Sequence, residues 1–459
     1  MSMHQTDLVV GAGRFETQPQ VTQSEDSALH GSIPRAVLAG TSGPALTILR
    51  GKELTPYVLS RDELITRSAR LARHFRDLGM QPEQRVLLLL PTDLAFLTSL
   101  MALWFNSAVS VPVVHHSSKK NHAMWCQKVR RILETSQPRF VIGTEHALAA
   151  IGTLVDGERH PVLISENEVL RIMEEPGEPA LPELPDEGAL AHCQFTSGST
   201  GEPKGILVRH GQIVANLDAA AERIDLREGD RFLSWLPLHH DMGFIGGLLF
   251  PLYEQIPQVL LPTDSFARAP HLWLELISHY RVSLSPAPTF AYELLATRVS
   301  DSRLRGIDLS SWRYAWVGAE PIFQKTLFGF RSRFRRDGLP EHALAPCYGL
   351  AEATLAVSAT EPGREVSVAW VKRDPLQAEG VVEPGREDDD ESISIVGVGR
   401  PLSWAQTRLV DDADVLVGEG HEGRILVRGK CVCRENLTRE RLVETGPWLD
   451  TGDLGFGPR

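Results

Sequence analysis

Apolar and polar residues alternate along this chain with recognisable periods. Leu64, Leu71, Ala72, Phe75 and Leu78 recur at helical spacing, Ser60 with Glu63 forms the reciprocal cap that starts a helix, and Gly79 closes it. The run Arg85-Val-Leu-Leu-Leu-Leu90 predicts a buried strand, Asp93 to Phe105 a buried helix, and Ala108 to Val114 a second strand. Near-continuous apolar strands separated by helices mark a parallel sheet covered on both faces, so the expected fold class is α/β. The pattern recurs at 139–142, 232–236, 258–261 and 314–317. After about Val396 short alternating segments, 407–410 and 423–427, predict a small β-rich, barrel-like unit.

Length and composition narrow this picture. At 459 residues the chain exceeds one ordinary core, and two to four packed units are expected at roughly 100–200 residues each. A formal charge of −12 argues against nucleic acid as a partner, because a polyanion calls for a basic surface. Cysteines 126, 193, 347, 431 and 433 form no regular framework, and Cys431-Val-Cys433 lacks the second pair of a zinc site, which suits a reducing cytoplasm. Pro91, Thr92 and Asp93 interrupt the most apolar region, Val86 to Phe105, so no membrane span is expected there. The start, MSMHQTDLVV, lacks the features of a signal peptide, and residues 1 to about 35 read as an ordered but irregular lead-in. From Thr360 to Ile393 the chain is dense in Pro, Gly and charge. Composition alone makes this a solvated surface excursion, though a loop so long also invites a functional reading.

One segment carries candidate phosphate chemistry. Thr196-Ser-Gly-Ser-Thr-Gly201, followed by Lys204-Gly205, offers small residues whose amides can approach phosphate oxygens, hydroxyl donors, and a cation. Composition alone also allows a plain flexible turn. The spacing is not that of a Walker A loop, and no G-x-S-x-G elbow is present in it.

The order of residues, FTSGSTGEPKG, resembles the adenylate-forming superfamily of acyl-CoA synthetases, peptide-synthetase adenylation domains and luciferases. Four more segments follow in that family's order: WLPLHHDMG at 235–243, GAEP at 318–321, YGLAEATL at 348–355 and DTGDLG at 450–455. Within the superfamily, LPLHHDMGFIGG, the stretch 288–292 and Asp308-Leu-Ser-Ser-Trp312 are similar to the fatty acyl-AMP ligases, which also carry an insertion where Thr360 to Ile393 lies. The resemblance implies two packed α/β subdomains with mostly parallel sheets (about 1–190 and 191–395) and the small β-barrel-like unit (396–459). It implies ATP-dependent adenylation of a medium- or long-chain fatty acid, with Mg²⁺, for delivery to an acyl carrier protein, the insertion helping to suppress a coenzyme A reaction. An acyl-CoA synthetase and an amino-acid adenylation domain are the alternatives within the superfamily, Asp241 leaving room for an amine. A non-catalytic nucleotide-binding module stands outside it.

The resemblance also assigns residues. Thr196, Ser197, Gly198, Ser199, Thr200, Gly201 and Lys204 would hold the β- and γ-phosphates, with Thr200 near the metal and Glu352 binding it. Tyr348 would stack on adenine opposite Gly318 and Ala319, and Asp453 would accept from the ribose hydroxyls. Glu320, Pro321, Gly349, Leu350 and Ala351 belong to the same two nucleotide-binding motifs. His240 would orient the substrate carboxylate. Lys204, His240 and Glu352 form the expected catalytic set. A metal at His239, His240 and Asp241 is disfavoured, since neighbours on an extended strand diverge, while a buried structural histidine remains an alternative. His115, His116 and His122 read as surface loop chemistry. Phe244, Ile245, Leu248, Leu249, Phe290 and Tyr292 are candidates for lining an acyl tunnel, or simply core.

Two departures from the family pattern are visible: Gly423 is followed by Arg424 rather than Glu, and Cys433-Arg-Glu-Asn436 replaces a Gly-Tyr-Trp. Both are expected to lie away from the phosphate loop. The chain also stops soon after DTGDLG, before the family's hinge, C-terminal lid domain and its lysine. A trimmed chain is expected to bind ATP and acid but to adenylate weakly.

Overall fold

A computed structural model describes residues 8–10, 31–40, 46–115, 121–154, 160–177, 180–181, 183–196, 203–438, 442–444 and 446–457. Two large sheets carry the architecture. The first runs, edge to edge, 442–444, 435–437, 204–209, 190–196, 109–112, 85–89, 140–143 and 162–165. Its strands are parallel from 190–196 outward to 162–165, and antiparallel on the other side. The second runs 400–401, 356–359, 344–349, 314–318, 284–288, 232–234, 258–260, 46–50 and 55–59, parallel from 344–349 to 46–50. The early hairpin 46–59 thus joins the second sheet.

Local sequence accounts for the helices between them. Ser60 accepts from the Glu63 amide while the Glu63 carboxylate takes the Ser60 amide, opening the helix Arg61–Asp77. Asp93 caps Leu94–Phe105, whose twelve residues are all buried. A helix apolar all round must be enclosed. Here one core cluster links residues of both sheets, Val86 and Leu88 with Phe232, Leu284 and Tyr314, through that helix and His210–Arg223. No helix among the described residues is long and apolar enough to cross a membrane.

The stretch after Val396 contributes a four-stranded sheet, ordered 8–10, 449–456, 423–429 and 405–410, whose first pair is parallel. Most of the polar lead-in, residues 1–7 and 11–30, lies outside the described residues, as does His116. Thr360 to Ile393 is not an unstructured excursion. Val368–Lys372 pairs antiparallel with Ser392–Val396, and Arg373–Glu379 is helical. Val371, Leu376, Val382 and Ile395 pack with Phe456 of the four-stranded sheet. The acidic run is tied back as well: Asp389 pairs with Lys372 at 2.5 Å, and that ammonium, with the Glu391 amide and Ser392, pulls the Asp389 carboxyl down to about 2.

Candidate active site

The ends of strands 190–196, 314–318 and 344–349 converge on a cavity of about 300 Å³. Thr196, His240, Asp241, Ala319, Tyr348, Gly349, Leu350, Ala351 and Glu352 line it, so the structure gathers eight residues of the expected site, with Asp241 beside them, from four separate segments. Lys204 reaches the same place through its ion pair with Glu352, Nζ to Oε1 at 3.6 Å. Asp453 does so through the Tyr348 hydroxyl, which donates to Oδ2 at 2.5 Å. Burial first, then the neighbouring Asp453 charge, pushes the Tyr348 phenol up, so it stays a donor. Ser197, Gly198, Ser199, Thr200 and Gly201 lie outside the described residues.

Backbone geometry is specialised around the nucleotide-side motifs. Gly318 runs so close to the next strand that a Cβ there would stand 2.8 Å from Cys347 Sγ. Ala319 and Thr354 both hold positive φ, 65° and 68°, a costly conformation for residues with a side chain. Thr354 is pinned by its hydroxyl donating to the Cys431 carbonyl at 2.7 Å. Glu320 and Pro321 are exposed and do not line the cavity. The Glu320 carboxylate instead accepts from the Phe290 amide at 2.5 Å, capping the helix Thr289–Arg298.

His240 stands where this cavity meets a second one of about 270 Å³, lined by Lys128, Gln194 and His239 among others. Its Nδ1 lies 2.7 Å from Asp241 Oδ1, and that hydrogen bond raises the imidazole above its ordinary pKa despite partial burial. His239 is opposite in character, driven down to about 4 chiefly by burial. Among the described residues no group of three His, Cys, Asp or Glu has the geometry to hold a metal by itself.

The apolar end of the cavity corrects the tunnel expectation. Phe244, Ile245, Leu248 and Leu249 are buried in the core, Tyr292 is buried with its hydroxyl on the Trp316 carbonyl at 3.0 Å, and Phe290 is exposed. None of the six lines the cavity. Met242, Gly246 and Phe250 face it instead, opposite Leu217 and Ala220 of the helix His210–Arg223. Met242–Leu249 is π-helical, and its glycines fit tight spaces: a Cβ on Gly243 would meet the Pro237 carbonyl at 2.2 Å. Asn216 was also missed. It is buried in the lining, donates to the Ala356 carbonyl at 3.0 Å and accepts from the Ala356 amide at 3.1 Å. Its signal was a lone amide on the stripe Ile213, Leu217, Ala220.

The departure at Cys433 to Asn436 does not lie away from the phosphate loop. Glu435–Leu437 pairs with Gly205–Leu207, the strand that leaves the loop, and the Cys433 amide donates to the Glu352 carbonyl at 2.7 Å. The Arg424 departure is explained by charge: its guanidinium pairs with Asp414 at 2.5 Å and with Asp450.

Two packed α/β sheets thus bring together the strand Lys204–Arg209, the Lys204–Glu352 pair and a tyrosine tied to an aspartate around one cavity, and the comparisons with known proteins place this arrangement among adenylating ligases. The AMP-binding enzyme family model matches residues 45–435, and the chain belongs to that family. A Caulobacter vibrioides protein with a provisional acyl-CoA synthetase name is 32% identical, over 96% of this chain and 76% of its own length. The medium-chain-fatty-acid–[acyl-carrier-protein] ligase TtuA of Teredinibacter turnerae is 31% identical, over 90% of this chain and 72% of its own. A solved chain of the fatty acyl-adenylate ligases of E. coli and L. pneumophila superposes with a TM-score of 0.86 at 30% identity, covering 94% of this chain and 78% of that one.

Proposed function

We propose that the protein adenylates a medium- or long-chain fatty acid with ATP, releasing pyrophosphate, and passes the acyl group to the thiol of an acyl carrier protein. The observation that carries this reading is one cavity with two chemistries: apolar walls from Leu217, Ala220, Gly246 and Phe250, together with His240, Tyr348 and Glu352, the last paired with Lys204. A carboxylate oxygen attacks the α-phosphorus as the bond to pyrophosphate breaks, so no protein nucleophile is needed. The chain's task is alignment and charge stabilisation.

On this reading His240, whose Nδ1 is held by Asp241 and whose imidazole that hydrogen bond raises above its ordinary pKa, orients the substrate carboxylate against the phosphate, donating from Nε2 when protonated. Lys204 leaves Glu352 for the phosphates, next to donors from Thr196 to Gly201. Tyr348, with Gly318 and Ala319, takes the base, Gly349 to Ala351 complete that wall, and Asp453 takes the ribose hydroxyls while keeping one oxygen for Tyr348. The Glu352 carboxylate, mostly buried but open to the cavity, suits Mg²⁺, and Glu352 with Thr200 would hold it; bound there, the ion would screen the phosphate charge. The second cavity beyond His240 suits the approach of a carrier's thiol arm. A cytoplasmic setting, consistent with five cysteines that form no disulfide, belongs to the same reading.

The Caulobacter relative's name keeps coenzyme A as the competing acceptor. Mass spectrometry of the products from ATP and a panel of acids, with either a carrier protein or coenzyme A supplied, separates the readings. Acyl-AMP and acyl-carrier are expected. Acyl-CoA as the main product would overturn the acceptor, and absence of any acyl-AMP would overturn the activity.

A further inference from the structure

Gln194 lies just before the phosphate loop on the strand Leu190–Thr196 and is only 5% exposed. Its Nε2 donates to the His239 carbonyl at 2.9 Å and faces the Phe195 carbonyl at 3.3 Å. Two carbonyls on one side fix which way the amide points, so Oε1 accepts from Nε2–H of His192 at 3.0 Å. The other ring nitrogen of His192, Nδ1, lies 3.3 Å from Ser110 Oγ, whose one proton is shared between that nitrogen and the Ala191 carbonyl at 3.1 Å. Full burial drives His192 down to about 4, which keeps the imidazole neutral. The same imidazole stacks on Phe244 with centroids 4.3 Å apart.

The strand therefore grips the segment 239–244 at both ends, by the His239 carbonyl and by the Phe244 ring. His240 lies between those two holds, with its own amide on the Pro237 carbonyl at 3.2 Å and its carbonyl taking the Phe244 amide at 2.8 Å. Of the two holds, only the bond from Gln194 is directional, and it acts on the peptide unit joining His239 to His240.

We propose that Gln194 is a positioning residue for adenylation: through the His239 carbonyl it fixes His240, which touches the acid, relative to Thr196 and the phosphate loop. The proposal rests on the role given to His240 above. Displacing a reacting group by about 1 Å can cost on the order of 100-fold in rate, so loss of the bond is expected to slow turnover by about 10- to 100-fold. A residue that merely fills space would give a loss independent of His240.

The test is a double-mutant cycle on pyrophosphate release in the wild type, Gln194→Met, His240→Ala and the double variant, with ATP affinity measured without acid. Gln194→Met should lower kcat by about 10- to 100-fold in the wild type but by about 2-fold or less in the His240→Ala background, with ATP affinity within about 2-fold. Equal losses in both backgrounds, or no loss, overturn the proposal. Should Gln194→Met fail to fold, Gln194→Glu keeps the shape and the acceptor for His192 but sets an oxygen against the His239 carbonyl, and it is judged by the same non-additivity. An unchanged rate in His240→Ala alone overturns the reading of His240 and this inference with it. A slow His240→Ala with additive Gln194 losses overturns only the inference.

Discussion

Replacing Gly246 with leucine tests the acyl end of the cavity. Gly246 faces the void from the π-helical segment, and a Cβ there would meet Leu355 Cδ2 at 3.1 Å, the far end of a side chain that can yield. The four added carbons then occupy space otherwise open to substrate. At about 0.8 kcal/mol per buried methylene, excluding about four methylenes costs about 3 kcal/mol, or on the order of 100-fold in kcat/KM for an acid that fills the cavity. An acid too short to reach Gly246 should lose nothing. Pyrophosphate release measured across a series of straight-chain acids reads this directly, with thermal melting as a control for folding. A loss uniform across chain lengths, or no loss for the longest acids, would refute the assignment of this end of the cavity to the acyl chain.

Acid should destabilise the fold through its buried histidines. His192 and His239 are driven from 6.5 to about 4, and His210 to about 3, each chiefly by burial, so the unfolded chain takes up protons first and stability is intact above pH 6.5 and falls towards pH 4. At pH 5.5, one unit below the unfolded value, each contributes a loss of roughly 1 kcal/mol, about 3 kcal/mol together, and urea unfolding at pH 7.5 and 5.5 that showed equal stability would contradict this. Glu352→Gln should cut pyrophosphate release by about 100-fold while moving the melting temperature little, since its pair with Lys204 is partly solvated and, at 3.6 Å, too long for a hydrogen bond, so that it is worth about 1 kcal/mol; undiminished turnover would remove Glu352 from the metal site. Asp230→Ala removes the carboxylate to which Arg313 donates from Nε at 2.8 Å, leaving a mostly buried guanidinium with only the Ile224 and Asp225 carbonyls, and should cost about 3–5 kcal/mol in urea unfolding. A cost below about 1 kcal/mol would show the pair to be dispensable.

What was legible in the sequence was what neighbours along the chain decide. The Ser60–Glu63 cap, the Asp93 cap and the apolar strand at 85–89 depend on residues within a few positions, and they stand where their pattern put them. The choice between tunnel lining and core for 244–249 was not legible in the sequence, for a geometric reason. The segment 242–249 is apolar throughout, and its π-helical winding changes the angular step per residue, so spacing alone cannot say that Gly246 rather than Ile245 meets the void. The stretch 360–393 looked solvated because its charges cluster, whereas its apolar residues find their partner at Phe456, far along the chain. Pairing of 435–437 with 205–207 was invisible for the same reason: no local signal records which edge a short strand will join.

That last pairing has a mechanical consequence. The segment from Cys431 to Leu437 is a strut with three attachments: Leu437 beside Gly205 at the exit of the phosphate loop, the Cys433 amide on the Glu352 carbonyl, and the Cys431 carbonyl on Thr354. The strand Lys204–Arg209 and the Glu352 motif are therefore tied to one segment that runs on from the strand Gly423–Gly429. On the proposed function, a displacement of that segment is expected to carry Lys204 and Glu352 together rather than part them.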